Sequence, residues 1–182
     1  MRPTLICLVL AEAFVSPAFA HTGVGRVESF SSGVAHPLSG ADHIFAMTVV
    51  GLWGGFIGGR AIWVWPTTFM AAMLGGFGTA RLGLQISFVE SAVSLSLVVF
   101  GVLAARGVKA PVWLGGAIVG LFAFFHGYAH GTEVAANSIF PYAVGFAFAT
   151  AALHAAGVGI GVCSRSLIGR TTGRIISDGK LT

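Results

Sequence analysis

Five long apolar runs, separated by very short polar breaks, dominate this sequence of 182 residues. Each run is close to the roughly 20 residues that an α-helix needs to cross a lipid bilayer. Because the breaks are short, consecutive helices should be antiparallel neighbours. We therefore predict an all-α fold, a polytopic membrane bundle of about five transmembrane helices over residues 40–59, 61–80, 84–105, 111–131 and 138–162.

Composition supports a membrane environment. Only 9% of the residues are charged, whereas soluble domains carry roughly a quarter. The chain also contains 27 glycines, and small residues let membrane helices approach each other closely. A soluble β-rich protein is excluded because it could not bury so many long apolar runs.

The first 20 residues have the features of an export signal. Arg2 precedes an apolar stretch, and the segment ends in Ala18-Phe19-Ala20, which fits a signal peptidase site. We predict a signal peptide at 1–20, a transmembrane bundle at 21–163 and a polar cytoplasmic tail at 164–182. An uncleaved first membrane helix is the alternative reading of the N-terminus.

Basic residues predict the orientation. With an exported N-terminus, Arg26 and Arg81 lie outside, and seven basic residues lie inside: Arg60, Arg106, Lys109, Arg165, Arg170, Arg174 and Lys180. This distribution agrees with the positive-inside rule. We expect a multi-pass protein of the bacterial inner membrane with a periplasmic N-terminus and a cytoplasmic C-terminus. The basic residues are scattered singly, so we expect no nucleic acid partner.

Ionisable side chains near or within the apolar runs are few, and most of them form two clusters. The first comprises His36, Asp42 and His43, and it leads into the first run. Because His36 precedes Pro37, it should lie in an extended loop that can fold back towards the other two residues. Such groups are costly in hydrocarbon unless paired or hydrated, which makes them candidates for function.

The second cluster closes the fourth run and comprises His126, His130 and Glu133. On a helix, these residues lie on one stripe roughly 60° wide, so they can share one ligand. The first run enters from the outside and the fourth returns to it. We therefore predict that the two clusters converge at the outer end of the bundle on one divalent metal ion.

Three further residues are candidates for an ion pathway. Glu90 lies about two turns into the third run, where a buried carboxylate would be protonated, paired or facing the pathway. His154 lies deeper in the fifth run and is either a relay or exit ligand or a structural histidine. His21, as the mature N-terminus, could chelate a metal, or it could belong to a disordered end.

The ligand types narrow the choice of ion. Imidazole suits nickel, cobalt, zinc and copper(II), whereas calcium and magnesium prefer oxygen cages. Cys7 belongs to the signal peptide and Cys163 is isolated, so a thiolate site for copper(I) is disfavoured. No Walker motif suggests nucleotide hydrolysis. We expect no prosthetic group, and the ligand types leave nickel, cobalt, zinc and copper(II) open as the bound ion.

The motif residues resemble those of the HupE/UreJ family of bacterial nickel and cobalt permeases, which accompany hydrogenase or urease systems. The similarity is carried by His36-Pro37, Gly40 and Asp42-His43, and by the stretch from Phe125 to Glu133. Family members usually carry a further apolar segment at the C-terminus, whereas this chain turns polar after Val162. The resemblance implies that the positions required for metal uptake are His36, Asp42, His43, His126, His130 and Glu133.

Together, these features predict an inner-membrane permease, not an enzyme, that imports nickel or cobalt for the maturation of metalloenzymes such as hydrogenase or urease. Its partners are the divalent ion and the lipid bilayer, while a homo-oligomer and a cytoplasmic metallochaperone are left open. Two alternatives come from other functional classes. One is a histidine-rich membrane metalloenzyme built on the pair His126 and His130, and the other is an accessory or sensor protein that binds the ion without moving it.

Overall fold

The computed structural model describes the backbone of residues 29–134 and 139–178, and the side chains of these ranges as far as residue 168. Within these ranges the fold is all-α, as predicted, and contains no strand. The predicted signal peptide and His21 lie outside the described residues. The helices are α1 (Phe30–Ser39), α2 (Ala41–Ile57), α3 (Ala61–Arg81), α4 (Val89–Ala105), α5 (Val112–Glu133) and α6 (Ile139–Asp178).

The helical lengths and composition fit a polytopic membrane protein. Two helices of the described chain are long and apolar enough to cross a membrane, α5 and the part of α6 over Ile139–Ile168. The pair α1 and α2 adds a third if these bent helices form one span, and α4 is a shorter apolar helix. The membrane bundle is thus confirmed, whereas the number of five spans stays a prediction.

Large apolar side chains on the outside of the bundle are consistent with contact to lipid. Aromatic rings at Trp113, Phe140 and Phe88 are 73%, 79% and 83% exposed. In water, exposed apolar surface of this kind would be a liability. In a bilayer, such apolar side chains contact the lipid tails favourably.

Residues 30–39 form a helix, where the sequence predicted an extended loop around His36. Ser29 caps this helix through a reciprocal pair of hydrogen bonds with Ser32, which satisfies free backbone donors at its start. Pro37 lies in the last turn and cannot donate a backbone hydrogen bond, so it favours the end of the helix at Ser39. The chain then folds back through Gly40, where α1 and α2 meet at an angle of 82°.

The helix α4 begins at Val89, five residues later than the predicted third run. Gly83 and Phe88 have positive φ angles of 76° and 65°, which interrupt the helical path. The Tyr128 hydroxyl donates to the Leu84 carbonyl at 2.8 Å and accepts from the Ile86 N–H at 3.1 Å. These bonds hold the connection in a non-helical conformation.

The last helix, α6, is longer than predicted. It runs for 40 residues to Asp178, so the polar segment after residue 163, predicted as a separate tail, continues the helix. Ser164 donates back to the Ile160 carbonyl at 2.8 Å. Arg165 donates to the Ile57 carbonyl at the end of α2, at 3.1 Å.

Glycines set the distance between α2 and α6. A Cβ atom added at Gly51 would lie 2.2 Å from the His154 carbonyl oxygen, and one at Gly55 would lie 2.4 Å from that of Val158. The opposite helix repeats the pattern, since a Cβ at Gly157 would lie 2.0 Å from the Thr48 oxygen. Backbones in direct contact are the packing mode expected of membrane helices.

Glycines also allow close backbone contact between α3 and α5. A Cβ at Gly76 would lie 1.9 Å from the Phe124 oxygen, and one at Gly127 would lie 1.8 Å from the Met73 oxygen. At the far end of α3, the Trp65 indole stacks on that of Trp53 from α2, with centroids 4.1 Å apart. Both sides of the bundle are therefore drawn together around the segment that carries His126 and His130.

Candidate metal site

Three histidines from three helices meet at one end of the bundle. His36 comes from the end of α1, His43 from the start of α2 and His130 from the end of α5. Each offers a ring nitrogen, and these nitrogens all lie within 4.8 Å of one another. His43 and His130 are buried, and His36 is partly buried. We call His36, His43 and His130 the outer cluster.

The corner at Gly40 positions two of these side chains. Because α1 and α2 meet there at 82°, His36 and His43 face each other with ring centroids 5.5 Å apart. A Cβ at Gly40 would lie 2.6 Å from His43 Nδ1 and 2.7 Å from an Asp42 oxygen. Only glycine leaves room for the Asp42 and His43 side chains in this arrangement.

Asp42 orients His43. One Asp42 carboxylate oxygen lies 2.8 Å from His43 Nδ1, and an ionised carboxylate can only accept a hydrogen bond. The Nδ1 atom of His43 therefore carries the proton, and its Nε2 atom presents a lone pair. This is the arrangement by which carboxylates fix the tautomer and raise the basicity of metal-binding histidines.

The lone pair of His43 points at the second imidazole. His43 Nε2 and His130 Nε2 are 2.6 Å apart. Bonds from imidazole nitrogen to a divalent ion such as zinc are about 2.0–2.1 Å long, so two neighbouring nitrogens on one ion lie about 3 Å apart. A widening of a few tenths of an ångström would let both rings bind one ion.

Aromatic side chains of α6 enclose the outer cluster. The Phe146 ring lies 4.8 Å from the His130 ring and 5.9 Å from the His36 ring, centroid to centroid. The Tyr142 ring lies 6.0 Å from that of His36. These rings exclude water from one side of the cluster, which strengthens electrostatic interactions within it.

Glu133 lies at the edge of this site. Its carboxylate is 3.8 Å from His130 Nδ1, three residues earlier on α5, and its side chain is 30% exposed. Nearby, Arg81 donates to the Val134 carbonyl at 2.7 Å and so caps the end of the same helix. Glu133 thus lies beside the His130 nitrogen that faces away from His43.

His126 lies one turn deeper on α5 and faces α4. Its Nε2 atom is 2.8 Å from the Ser96 hydroxyl, and its ring centroid is 6.1 Å from that of His43. All three predicted residues, His126, His130 and Glu133, lie on α5 at the predicted helical spacing. Only His130 of the three contributes to the outer cluster.

The predicted pathway residues have different surroundings. Glu90 is exposed in the first turn of α4, so the prediction of a buried carboxylate two turns into the span was wrong. Its charge there is favourable, because carboxylates stabilise helix N-termini. His154 is buried on α6, and its Nδ1 atom is 2.8 Å from the Thr150 carbonyl oxygen.

Ser96, Phe146 and Tyr142 are neighbours of the site that were not predicted from the sequence. Ser96 is a polar residue within an apolar helix, which is a usable signal for a buried hydrogen bond. Phe146 and Tyr142 carry no such signal, because aromatic residues occur throughout this chain. Their role depends on which face of α6 meets α1 and α5.

Comparison with known proteins decides the family. The family model described as "HupE / UreJ protein" matches residues 8–178. The chain belongs to the HupE/UreJ family. HupE/UreJ is a family of transporters, and membership supports a role related to nickel or cobalt transport.

A curated relative agrees with the assignment. The chain is 36% identical to "Protein HupE" of Rhizobium leguminosarum bv. viciae over 177 residues, which covers 96% of this chain and 92% of that protein. No solved structure matches this HupE/UreJ chain. The outer cluster lies within the matched region, as do His126 and His154.

Proposed function

We propose that this HupE/UreJ protein is an inner-membrane permease that imports Ni²⁺, and also Co²⁺, for the maturation of metalloenzymes such as hydrogenase or urease. The observation that carries the proposal is the buried pair His43 and His130, with facing nitrogens 2.6 Å apart and with Asp42 behind His43. His36 supplies the third nitrogen. The proposed cargo binds first at this outer cluster.

The donor set supports a transition metal over a hard ion. Three imidazole nitrogens suit nickel or cobalt, whereas calcium and magnesium favour oxygen ligands. Cys163, the free cysteine of the described chain, is exposed on α6 more than two turns beyond His154. Among the described residues, therefore, no thiolate contributes to the cluster, and the soft ligands that select copper(I) are missing from this part of the chain.

The positions of basic residues support import. The outer cluster lies where α2 begins and α5 ends, whereas Arg60, Arg106, Lys109 and Arg165 lie near the opposite ends of the helices. The positive-inside rule assigns such an end to the cytoplasm. The cluster would then face the periplasm. The membrane potential favours inward movement of a cation by about 2.3 kcal/mol per charge per 100 mV, twice that for a dication.

An accessory or sensor protein that binds the ion without moving it is the second candidate. The same outer cluster would serve it equally well, so transport itself must be measured. A metalloenzyme is less well supported because the two histidines of the H-x-x-x-H pair point to different partners. His126 faces Ser96, whereas His130 faces His43.

Uptake of radioactive nickel by cells that express the protein tests the proposal. We expect His130→Ala to abolish uptake above background, because it removes one of three ligands and leaves His43 Nε2 facing a gap. Cys163→Ser is the control, since it removes an exposed thiol, which could bind metal but lies outside the site. Membrane levels of each variant are measured by immunoblotting. Uptake that is unchanged in His130→Ala at equal protein level would refute a permease that uses this cluster.

A further inference from the structure

His126 is held in one tautomer by Ser96. The Ser96 hydroxyl donates its single hydrogen to the Val93 carbonyl at 2.6 Å, so its oxygen must accept the hydrogen bond from His126 Nε2 at 2.8 Å. In the neutral ring the proton is then on Nε2 and the lone pair is on Nδ1. That Nδ1 atom is buried and has no hydrogen-bond partner among the described residues.

His154 is held in the opposite tautomer. Its Nδ1 atom lies 2.8 Å from the Thr150 carbonyl oxygen, and a carbonyl can only accept a hydrogen bond. The proton is therefore on Nδ1 and the lone pair is on Nε2. This Nε2 atom and the Thr150 hydroxyl oxygen, one turn apart on α6, are both buried without a partner in the described part of the chain.

Two unpartnered lone pairs in one membrane bundle call for an explanation. A buried polar atom without a hydrogen bond costs about 1–3 kcal/mol. In each ring, the hydrogen-bonded nitrogen is fixed by the protein, and the other nitrogen is left as an acceptor. Neutral imidazole with its second nitrogen held by a hydrogen bond is the form that binds metal ions.

The His126 and His154 rings lie successively deeper in the bundle than the outer cluster. His126 precedes His130 by four residues, which places it about 6 Å further along α5. On α6, His154 follows Phe146 by eight residues, or about 12 Å, and Phe146 contacts His130. The Phe69 ring lies 6.0 Å from the His126 ring and 4.9 Å from the His154 ring, so both imidazoles adjoin the same side chain.

The stacked indoles of Trp53 and Trp65 mark the far side of this arrangement. Trp65 lies one turn from Phe69 on α3, towards the basic end of the bundle. Both indole N–H groups are occupied, by the Val108 and Val112 carbonyls at 2.9 Å. The order along the bundle is therefore the outer cluster, His126, Phe69 with His154, and then the two tryptophans.

We propose that His126 Nδ1 and His154 Nε2, with the Thr150 hydroxyl, are successive inner ligands for a divalent transition-metal ion on its way from the outer cluster to the basic end. The inference rests on the proposed function and adds the route that the ion takes through the bundle. Each inner position offers fewer nitrogens than the outer cluster, which suits a pathway because an ion must leave each site readily. The outer cluster selects the ion, and the inner ligands keep it coordinated after it leaves.

Separate measurements of binding and transport test the route. Nickel binding to purified protein in lipid nanodiscs is measured by isothermal titration calorimetry, and uptake is measured in cells. His154→Phe keeps the ring volume but removes the ligand, and we expect it still to bind nickel at the outer cluster, because all three histidines there are retained. Its uptake should fall at least as far as the roughly 10- to 100-fold loss that follows removal of a partner of a metal ligand.

Two further variants exclude a purely structural role for His154. His154→Cys restores a metal ligand of another shape, so part of the uptake should return, whereas His154→Gln should stay impaired with an unchanged melting temperature. His126→Phe should resemble His154→Phe. His130→Ala, in contrast, should bind nickel much more weakly than the wild type and should lose uptake.

The outcomes separate this inference from the proposed function. Wild-type uptake in both His154→Phe and His154→Gln would overturn the inner route while leaving the permease intact. Loss of nickel binding in His154→Gln, with a lowered melting temperature, would show that the residue serves the fold instead. Unchanged uptake in His130→Ala would refute the proposed function at its own site.

Discussion

Asp42 acts on the site through the His43 ring. The carboxylate is only partly buried, and its oxygen contacts the ring nitrogen of His43 that faces away from His130. Such a residue sets the tautomer and the basicity of a ligand without touching the ion. The aspartate of the first motif is therefore best understood as the partner of the neighbouring histidine.

Replacement of Asp42 by asparagine should weaken nickel binding without abolishing it. The amide is neutral and accepts a weaker hydrogen bond, so His43 Nδ1 is held less firmly and its Nε2 atom is a poorer donor. We expect the affinity to fall about 10- to 100-fold, less than for His43→Ala. Calorimetric titration of purified Asp42→Asn measures this, and an unchanged affinity would exclude the orienting role.

The sequence predicted which histidines come together in the outer cluster, whereas the roles of the individual residues stay predictions. His36, His43 and His130 were all named from spacing and chemistry, and the structure brings them within reach of one another. The spacing of His126 and His130 suggested one shared ligand. It could not reveal that Ser96 holds His126 towards α4, because that contact depends on how separate helices pack.

The helices depend on glycine where their backbones touch. Four glycines lie where α2 and α6 touch: Gly51, Gly55, Gly157 and Gly161. At each of them, a Cβ atom would lie within 2.4 Å of a carbonyl oxygen of the other helix. Lipid provides no hydrophobic drive for helix association, so close packing has to supply the attraction. These contacts also fix the depth of His154 relative to His43.

Gly157→Ala should destabilise the bundle, whereas Gly159→Ala should not. A Cβ at residue 157 would lie 2.0 Å from the Thr48 oxygen, but one at residue 159 would meet nothing within 4 Å. Overpacking of this kind costs about 1–3 kcal/mol or more. Thermal melting of the purified variants in detergent measures the difference, and equal melting temperatures would argue against the observed packing of α2 on α6.

The positions of most helices could be predicted, but not their ends. Each of the five predicted runs holds one helix, from α2 to α6, because apolar length is a direct physical requirement of the bilayer. The late start of α4 was missed, and with it the exposure of Glu90, since Tyr128 of another helix holds the preceding connection. The helix α1 was missed because a polar, proline-containing segment carries no apolar signal.

On the scale of the whole molecule, the ends of the bundle differ in chemistry. One end holds the outer cluster, and the other holds Arg60, Arg106, Lys109 and Arg165. Arg60 also lies over the Trp63 ring at 5.8 Å, a combination typical of membrane interfaces. This polarity is the basis for the proposed orientation, with metal captured outside and released inside.

Site-directed labelling measures that orientation. In a background with both native cysteines replaced by serine, Gln85→Cys and Ser166→Cys place single thiols at exposed positions near opposite ends. A membrane-impermeant maleimide should label the first in spheroplasts and the second only after the membrane is opened. The reverse pattern would place the outer cluster in the cytoplasm and would contradict import through it.

One ion should bind to His36, His43 and His130 together, and X-ray absorption spectroscopy at the nickel edge measures the ligands of that ion. Protein loaded with one equivalent of nickel should show about three imidazole nitrogens at about 2.0–2.1 Å. One imidazole should be lost from that shell in each of the variants His36→Ala, His43→Ala and His130→Ala. A shell of oxygen alone, or an imidazole count that is unchanged in all three variants, would show that the three histidines do not bind one ion together.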